Sequence, residues 1–147
     1  LHLPYKGASL VLTDLLAGRV NLYIGTVVSV VPHVRSGRLR ALAVTSAQRQ
    51  PAIQEVAPIA ESGVPGTNGF LAMAWQSLVA PAGTPEDVVA QYANALARVM
   101  NQRAIRARLL AEGFEPATMP PRALAAYIRS ETARWGEVVK AAGMTPE

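Results

Sequence analysis

An α/β fold with a mostly parallel sheet and flanking helices is predicted by three features of this sequence. Leu3–Thr26, LPYKGASLVLTDLLAGRVNLYIGT, reads as strand, glycine turn, helix, turn and strand, closing at a second glycine. Leu39–Thr45, LRALAVT, is an apolar run of the kind buried on both faces of a parallel sheet. Short apolar runs alternate with helix-period patterns through Trp75, the order expected of βαβ units. The opening unit would bring backbone N–H groups and helix starts to one sheet edge, where a small anion binds.

Each element follows from local chemistry. Leu1–Lys6 alternates and precedes Gly7, which predicts a strand and a turn. Ala8–Ala17 has Val11, Leu12, Leu15 and Leu16 on one helical face, and Gly18 stands where a helix-ending glycine belongs. Val20–Ile24 is a short apolar strand ended by Gly25. Val27–Val34 fits helix or strand by period alone; a helix starting near Thr26 or Val27 is chosen. Ser46 to Gly69 is polar and rich in proline and glycine, with a short helix expected around Pro58–Ser62. Phe70–Ala80 is the next strand-like run.

The later part is mainly helical. Thr84 as N-cap, Pro85 at the first helical position and acids behind it predict a helix to about Met100, with Val88, Val89, Tyr92, Leu96 and Val99 as its stripe. Arg103–Ala111 is a second helix before Gly113, and Glu115–Thr118 a short edge strand. Pro121 starts the last helix, which carries Leu124, Ile128, Trp135 and Val138 on one side and ends by Gly143 and Pro146.

Composition narrows the function classes. At 147 residues, 50% apolar and 16% charged, the chain suits one packed domain and is short for two. It contains no 20-residue apolar run, so no transmembrane helix is predicted. Leu1 stands inside a strand-like run with no cap or turn before it. We therefore expect that it is not the natural start, and that any targeting segment preceded it. The net charge of +4 is mild and scattered, which favours an anionic small ligand over a cationic one. The sequence shows no basic run and no aromatic–basic interleaving, which argues against nucleic acid. Without cysteine, thiol chemistry, thiolate zinc sites and disulfides are excluded. No catalytic set is visible: Ser9 and Ser29 have no base at recognisable spacing, and His2 and His33 have no metal-ligand partners. No cofactor is implied.

The pieces LPYKGASLVLTDLLAGRVNLYIG, PHVRSGRLRALAVTSAQRQPAIQEVAPIAESGVPG, WQSLVAPAGTP and AAYIRSETARWGEVVKAAGMTPE occur in order over the whole chain. Together they resemble the solute-binding receptors of tripartite tricarboxylate transporters, also called the Bug or TctC-like family. The resemblance implies a periplasmic, two-lobed binding protein that closes by a hinge on a small carboxylate and hands it to membrane transporter subunits, without catalysis. It implies that residues 1–74 are most of lobe two, incomplete at their N-terminus. It also implies that residues 75–147 are a crossover strand and C-terminal helices that pack with lobe one. A full member is roughly twice this length. The apolar stripes after Trp75 then need another partner, so the chain is expected either to self-associate or to hold those helices on lobe two. The family's small polar cap and paired acids before the last helix are replaced here by Pro120, Pro121 and Arg122.

The resemblance directs attention to two corners. At Tyr5-Lys6-Gly7-Ala8, the N–H groups of Gly7, Ala8 and Ser9 would grip a carboxylate at a helix start, with Tyr5 as a cleft wall. The alternative is an ordinary strand-to-helix turn. Ala8 stands where the family usually has a second glycine, which would narrow the pocket. At Gly25-Thr26, family members often carry Asp-Asn; glycine here shifts the expected ligand from an amino acid to a plain organic acid. A tight turn with a hydroxyl cap explains Gly25 and Thr26 equally well. Lys6 is expected in solvent, Trp75 buried at the hinge rather than in the cleft, and Trp135 in packing. Two rival classes remain. One is a cytoplasmic regulatory domain that senses an acid and self-associates. The other is a small phosphate-using enzyme, which the absent glycine-rich fingerprint argues against.

Overall fold

Five α-helices and two 3₁₀ turns make up the regular structure of residues 1–144, the residues described by the computed structural model. The helices are α1 (Ala8–Leu16), α2 (Val27–Arg35), α3 (Glu86–Met100), α4 (Arg103–Glu112) and α5 (Pro121–Ala141). The 3₁₀ turns are Pro51–Ile53 and Ile59–Glu61, the second lying where a short helix was expected. The chain divides into two units. One comprises Leu1–Ser77 with Arg106–Pro116; the other comprises Leu78–Ile105 and the chain from Ala117 onward. The start of α4 thus belongs to the second unit and most of it to the first.

In the first unit, α1 buries Val11 and half-buries Leu12, Leu15 and Leu16, the four positions that helical period places together. It ends at Gly18: the Gly18 N–H donates to the Leu15 carbonyl at 3.1 Å and the Arg19 N–H to the Asp14 carbonyl at 2.9 Å, satisfying carbonyls that the helix leaves open. Along α2, Val27, Val31 and Val34 recur at i, i+4 and i+7 and face the core, while Pro32 is exposed on the other side. That core gathers Val31, Val44, Ile53 and Val56, with Ala41 and Ala52 against it. Pro58 is fully buried beside the bridge to Val44.

The predicted sheet is not formed among the described residues. Leu1–Lys6, Val20–Ile24, Phe70–Ala80 and Glu115–Thr118 are non-helical single segments without a strand ladder. Leu39–Thr45 makes one isolated parallel bridge, between Val44 and Pro58. There the Val44 N–H donates to the Ala57 carbonyl at 3.0 Å and the Ile59 N–H to the Val44 carbonyl at 2.8 Å. One further bond runs from the Ala72 N–H to the Thr45 carbonyl at 3.0 Å. The physical reason is that a strand is defined by a neighbour about 4.8 Å away, and apolar alternation fixes only which side chains share a face. Leu39–Thr45 is covered only in part: Ala41 and Val44 pack in the core, whereas Leu42 is 67% exposed.

The second unit contains α3, the start of α4 and α5. Contacts join α3 to α5, yet none of its described residues is buried. Of the predicted stripe of α3, Val88 and Val89 are half-buried and Tyr92, Leu96 and Val99 exposed; of that of α5, Leu124 and Ile128 are half-buried and Trp135 and Val138 exposed. Trp135 is therefore not core packing; its indole N–H donates to Glu131 at 3.0 Å and Arg134 lies over its ring. A helix stripe is stabilised chiefly by the layer it packs on, and here each stripe is partly covered toward its N-terminal end and open to solvent beyond it.

Candidate functional site

Both corners expected to bind an anion lie in the first unit. Gly7 is the N-cap of α1, with φ 131° and ψ 160°. A Cβ built on it meets nothing within 4 Å, so backbone angle rather than space requires glycine there. Gly7, Ala8 and Ser9 are exposed, and no side chain caps the helix. The Ser9 carbonyl accepts from the Thr13 hydroxyl at 3.0 Å, an interaction inside the helix.

The second corner has the same form. Thr26 is the N-cap of α2 with an extended backbone, φ −71° and ψ 143°. Its hydroxyl does not cap the helix: it donates to the Ser29 hydroxyl at 3.2 Å, and that hydroxyl donates to the Thr26 carbonyl at 2.7 Å. Gly25 and Thr26 are exposed. Neither α1 nor α2 has an acidic residue in its first turn, whereas α3 has Glu86 and Asp87. The positive ends of α1 and α2 thus have no internal countercharge. Among the described residues no hydrogen bond links one corner to the other.

Tyr5 is held by its own network. Its hydroxyl donates to Asp14 Oδ2 at 2.8 Å, and Arg19 donates to Asp14 Oδ1 at 2.8 Å. Hydrogen bonds from Arg19 first, then Tyr5, hold the Asp14 carboxyl below the usual carboxylate range. The bond to Asp14 raises the Tyr5 phenol above its ordinary value. The hydroxyl is therefore committed to α1, and Tyr5 offers a bound molecule its half-buried ring. Lys6 is exposed, as expected. Trp75, expected to be buried, is 41% exposed.

Two features escaped the sequence reading. A Cβ on Gly25 would clash with the edge of the Tyr23 ring and lie 2.7 Å from its hydroxyl oxygen, so this corner carries an aromatic wall. The signal was present, because two-residue alternation puts positions 23 and 25 on one face. The other feature is Gly113, past the end of α4 at φ +90°; a Cβ there would lie 2.9 Å from Val27 Cγ1 and 3.2 Å from the Val28 nitrogen. The α4 terminus thus abuts the start of α2. Sequence marked Gly113 only as a helix stop.

Among the described residues no helix is long and apolar enough to cross a membrane. No group of three or more His, Cys, Asp or Glu side chains gathers there either.

The profile of the tripartite tricarboxylate transporter family receptor, TctC, matches residues 1–144. The UPF0065 protein of the tcbD–tcbE intergenic region of Pseudomonas sp. strain P51 is 37% identical over 139 residues, covering 95% of this chain and 41% of that protein. Three solved structures share the fold. An R. palustris protein with adipate superposes at a TM-score of 0.88 and 35% identity, covering 99% of this chain and 48% of the other. MatC from Rhodopseudomonas palustris with bound malate gives 0.80 and 33%, covering 93% and 47%. The periplasmic binding protein BugD gives 0.83 and 29%, covering 98% and 48%. The chain therefore spans under half the length of each of these four proteins.

Proposed function

The chain belongs to the tripartite tricarboxylate transporter receptor family, and from that premise we propose that it acts in extracytoplasmic solute capture, binding a small carboxylate for delivery to a membrane transporter. One observation carries the reading: two exposed helix starts in one unit, at Gly7–Ser9 and Gly25–Thr26, have neither a capping side chain nor a first-turn acid. Such amides accept an anion with no reorganisation, and the helix dipoles favour it. Adipate and malate, the ligands in two of the similar structures, are dicarboxylates, and we carry that ligand class to this chain.

In this reading each carboxylate meets one set of amides, while the rings of Tyr5 and Tyr23 supply apolar walls. The mechanism is capture and closure, without bond chemistry. Residues 1–74 act as most of one lobe and residues 75–147 as the crossover and helices of the other. The single segments then become strands of parallel sheets when the rest of the receptor is present. The site of action is the periplasm.

The test is a thermal-shift titration with adipate, malate and citrate, on this chain and on a version extended to its relatives' length. Dicarboxylates are expected to raise the Tm of the extended protein. Thr26→Asp would cap α2 from within, adding about 1 kcal/mol of stability while weakening carboxylate binding about tenfold. Stabilisation by a sugar or nucleotide, with none by any carboxylate, overturns the proposal.

A further inference from the structure

We propose that Tyr23 is a ligand-contacting residue whose hydroxyl donates directly to the carboxylate held at the start of α2. The inference rests on the proposed function and adds a side-chain donor to a corner otherwise made of backbone amides and a ring.

The first observation is where the hydroxyl lies. A Cβ on Gly25 would be 2.7 Å from the Tyr23 oxygen and would clash with the ring edge, so the phenol is folded onto the Gly25 backbone. Gly25 directly precedes Thr26, the N-cap of α2. Both residues are exposed and Tyr23 is half-buried, which leaves the corner open to a small molecule.

The second observation is an elimination. Residues 23–29 carry three side-chain hydroxyls, on Tyr23, Thr26 and Ser29. The Thr26 hydroxyl donates to the Ser29 hydroxyl at 3.2 Å, and that hydroxyl donates to the Thr26 carbonyl at 2.7 Å. Both of those hydrogens are spent inside the turn. Among the described residues the Tyr23 hydroxyl has no hydrogen-bond partner. Tyr5, beside the first corner, differs: its hydroxyl is spent on Asp14 at 2.8 Å. One tyrosine is tied to its helix and the other keeps its donor.

The third observation is room for an acceptor. Gly113 lies against Val27 and Val28, and the place its absent Cβ would take is 3.2 Å from the Val28 nitrogen. That is a distance at which an oxygen accepts from an N–H. A carboxylate has two oxygens and several lone pairs, so it can accept from an amide of the first turn and from a phenol together. An O–H bond to an ionised oxygen is also stronger than one to a neutral acceptor, so this donor favours a carboxylate over an uncharged group.

The experiment is a titration of this chain, isotope-labelled at the backbone nitrogens and at tyrosine Cζ, with adipate and separately with malate. The Val27 and Val28 amide resonances and the Tyr23 Cζ resonance should move together and saturate together. The Tyr23 signal is assigned by its loss in Tyr23→Phe. That variant should bind both acids about tenfold more weakly, the worth of one hydrogen bond to a charged acceptor. Gly113→Ala, which fills the gap beside Val28, should weaken binding at this corner about fivefold. Tyr92→Phe, on α3, should leave both titrations unchanged. Amides that move while the Tyr23 resonance stays still, or a Tyr23→Phe chain that binds like the wild type, would overturn the inference and leave the proposed function standing. A loss confined to malate would assign the phenol to that acid's alcohol and overturn the carboxylate contact. Resonances at both corners that neither acid moves would remove the proposed function, and this inference with it. The wild-type Cζ titration decides the matter even where a variant fails to fold.

Discussion

The ring of Tyr23 occupies the space that a side chain on Gly25 would need. Gly25 has no positive φ, so its glycine is set by this neighbour, whereas Gly7 is set by its backbone angle. The two residues should therefore be thermodynamically coupled. In a double-mutant cycle of Gly25→Ala and Tyr23→Ala, the penalty of the added methyl should shrink when the ring is removed. The expected interaction energy is about 0.5–3 kcal/mol, read from urea unfolding. Additive effects would show that the ring moves aside freely.

Tyr5, Asp14 and Arg19 give a pH window. The Asp14 carboxyl is lowered in the folded chain, so its contribution is present above the ordinary carboxylate value and lost as pH falls through the lowered one. The Tyr5 phenol is raised, so its contribution is present below about pH 10 and lost as pH rises through the raised value. Ultraviolet titration of the wild type minus Tyr5→Phe should show one phenol ionising above its ordinary pH. Asp14→Asn should return it toward that value, and an unchanged titration would deny the hydrogen bond.

The core is confined to a few side chains, so two apolar truncations should differ sharply. Ile53 is 3% exposed and packs with Val31, Val44 and Val56; Ile53→Ala should cost about 2–5 kcal/mol. Leu42→Ala, at a site 67% exposed, should stay within about 0.5 kcal/mol. Chemical denaturation of the two variants measures both. Equal costs would mean that Leu42 is covered in solution.

Gly113 and Gly18 separate backbone strain from crowding. Both have positive φ, but a Cβ on Gly18 meets nothing within 4 Å, while one on Gly113 meets Val27 and the Val28 nitrogen. Gly18→Ala should cost about 1–2 kcal/mol. Gly113→Ala should cost about 1 kcal/mol more and should shift the backbone resonances of Val27 and Val28. Equal costs with those resonances unmoved would separate α4 from α2.

Helices were legible in the sequence because their evidence is local. The stripe at Val11, Leu12, Leu15 and Leu16 and the stops at Gly18 and Gly113 needed only near neighbours. The start of α3 differed by one residue: the Thr84 hydroxyl donates to the Pro81 carbonyl at 2.8 Å, and the Pro85 carbonyl accepts the first helical bond from Val89 at 3.1 Å. Pro85 is thus the N-cap. The predicted sheet did not follow, since an apolar run such as Val20–Ile24 marks a strand-like segment without showing that a neighbour is present. The helix starts beside Gly7 and Thr26 were legible because glycine and hydroxyl residues mark helix starts. The bond from Tyr5 to Asp14 spans nine residues across a helix, and no short-range pattern encodes it.

The bare first turns of α1 and α2 carry a practical corollary. A helix that supplies no countercharge of its own takes one from whatever the solution contains, so phosphate, sulfate or citrate in a purification medium would occupy the same amides as a physiological acid. Melting temperatures compared across such media would then rank the salts rather than the protein, and an apparently inert candidate acid would be one that had already been outcompeted.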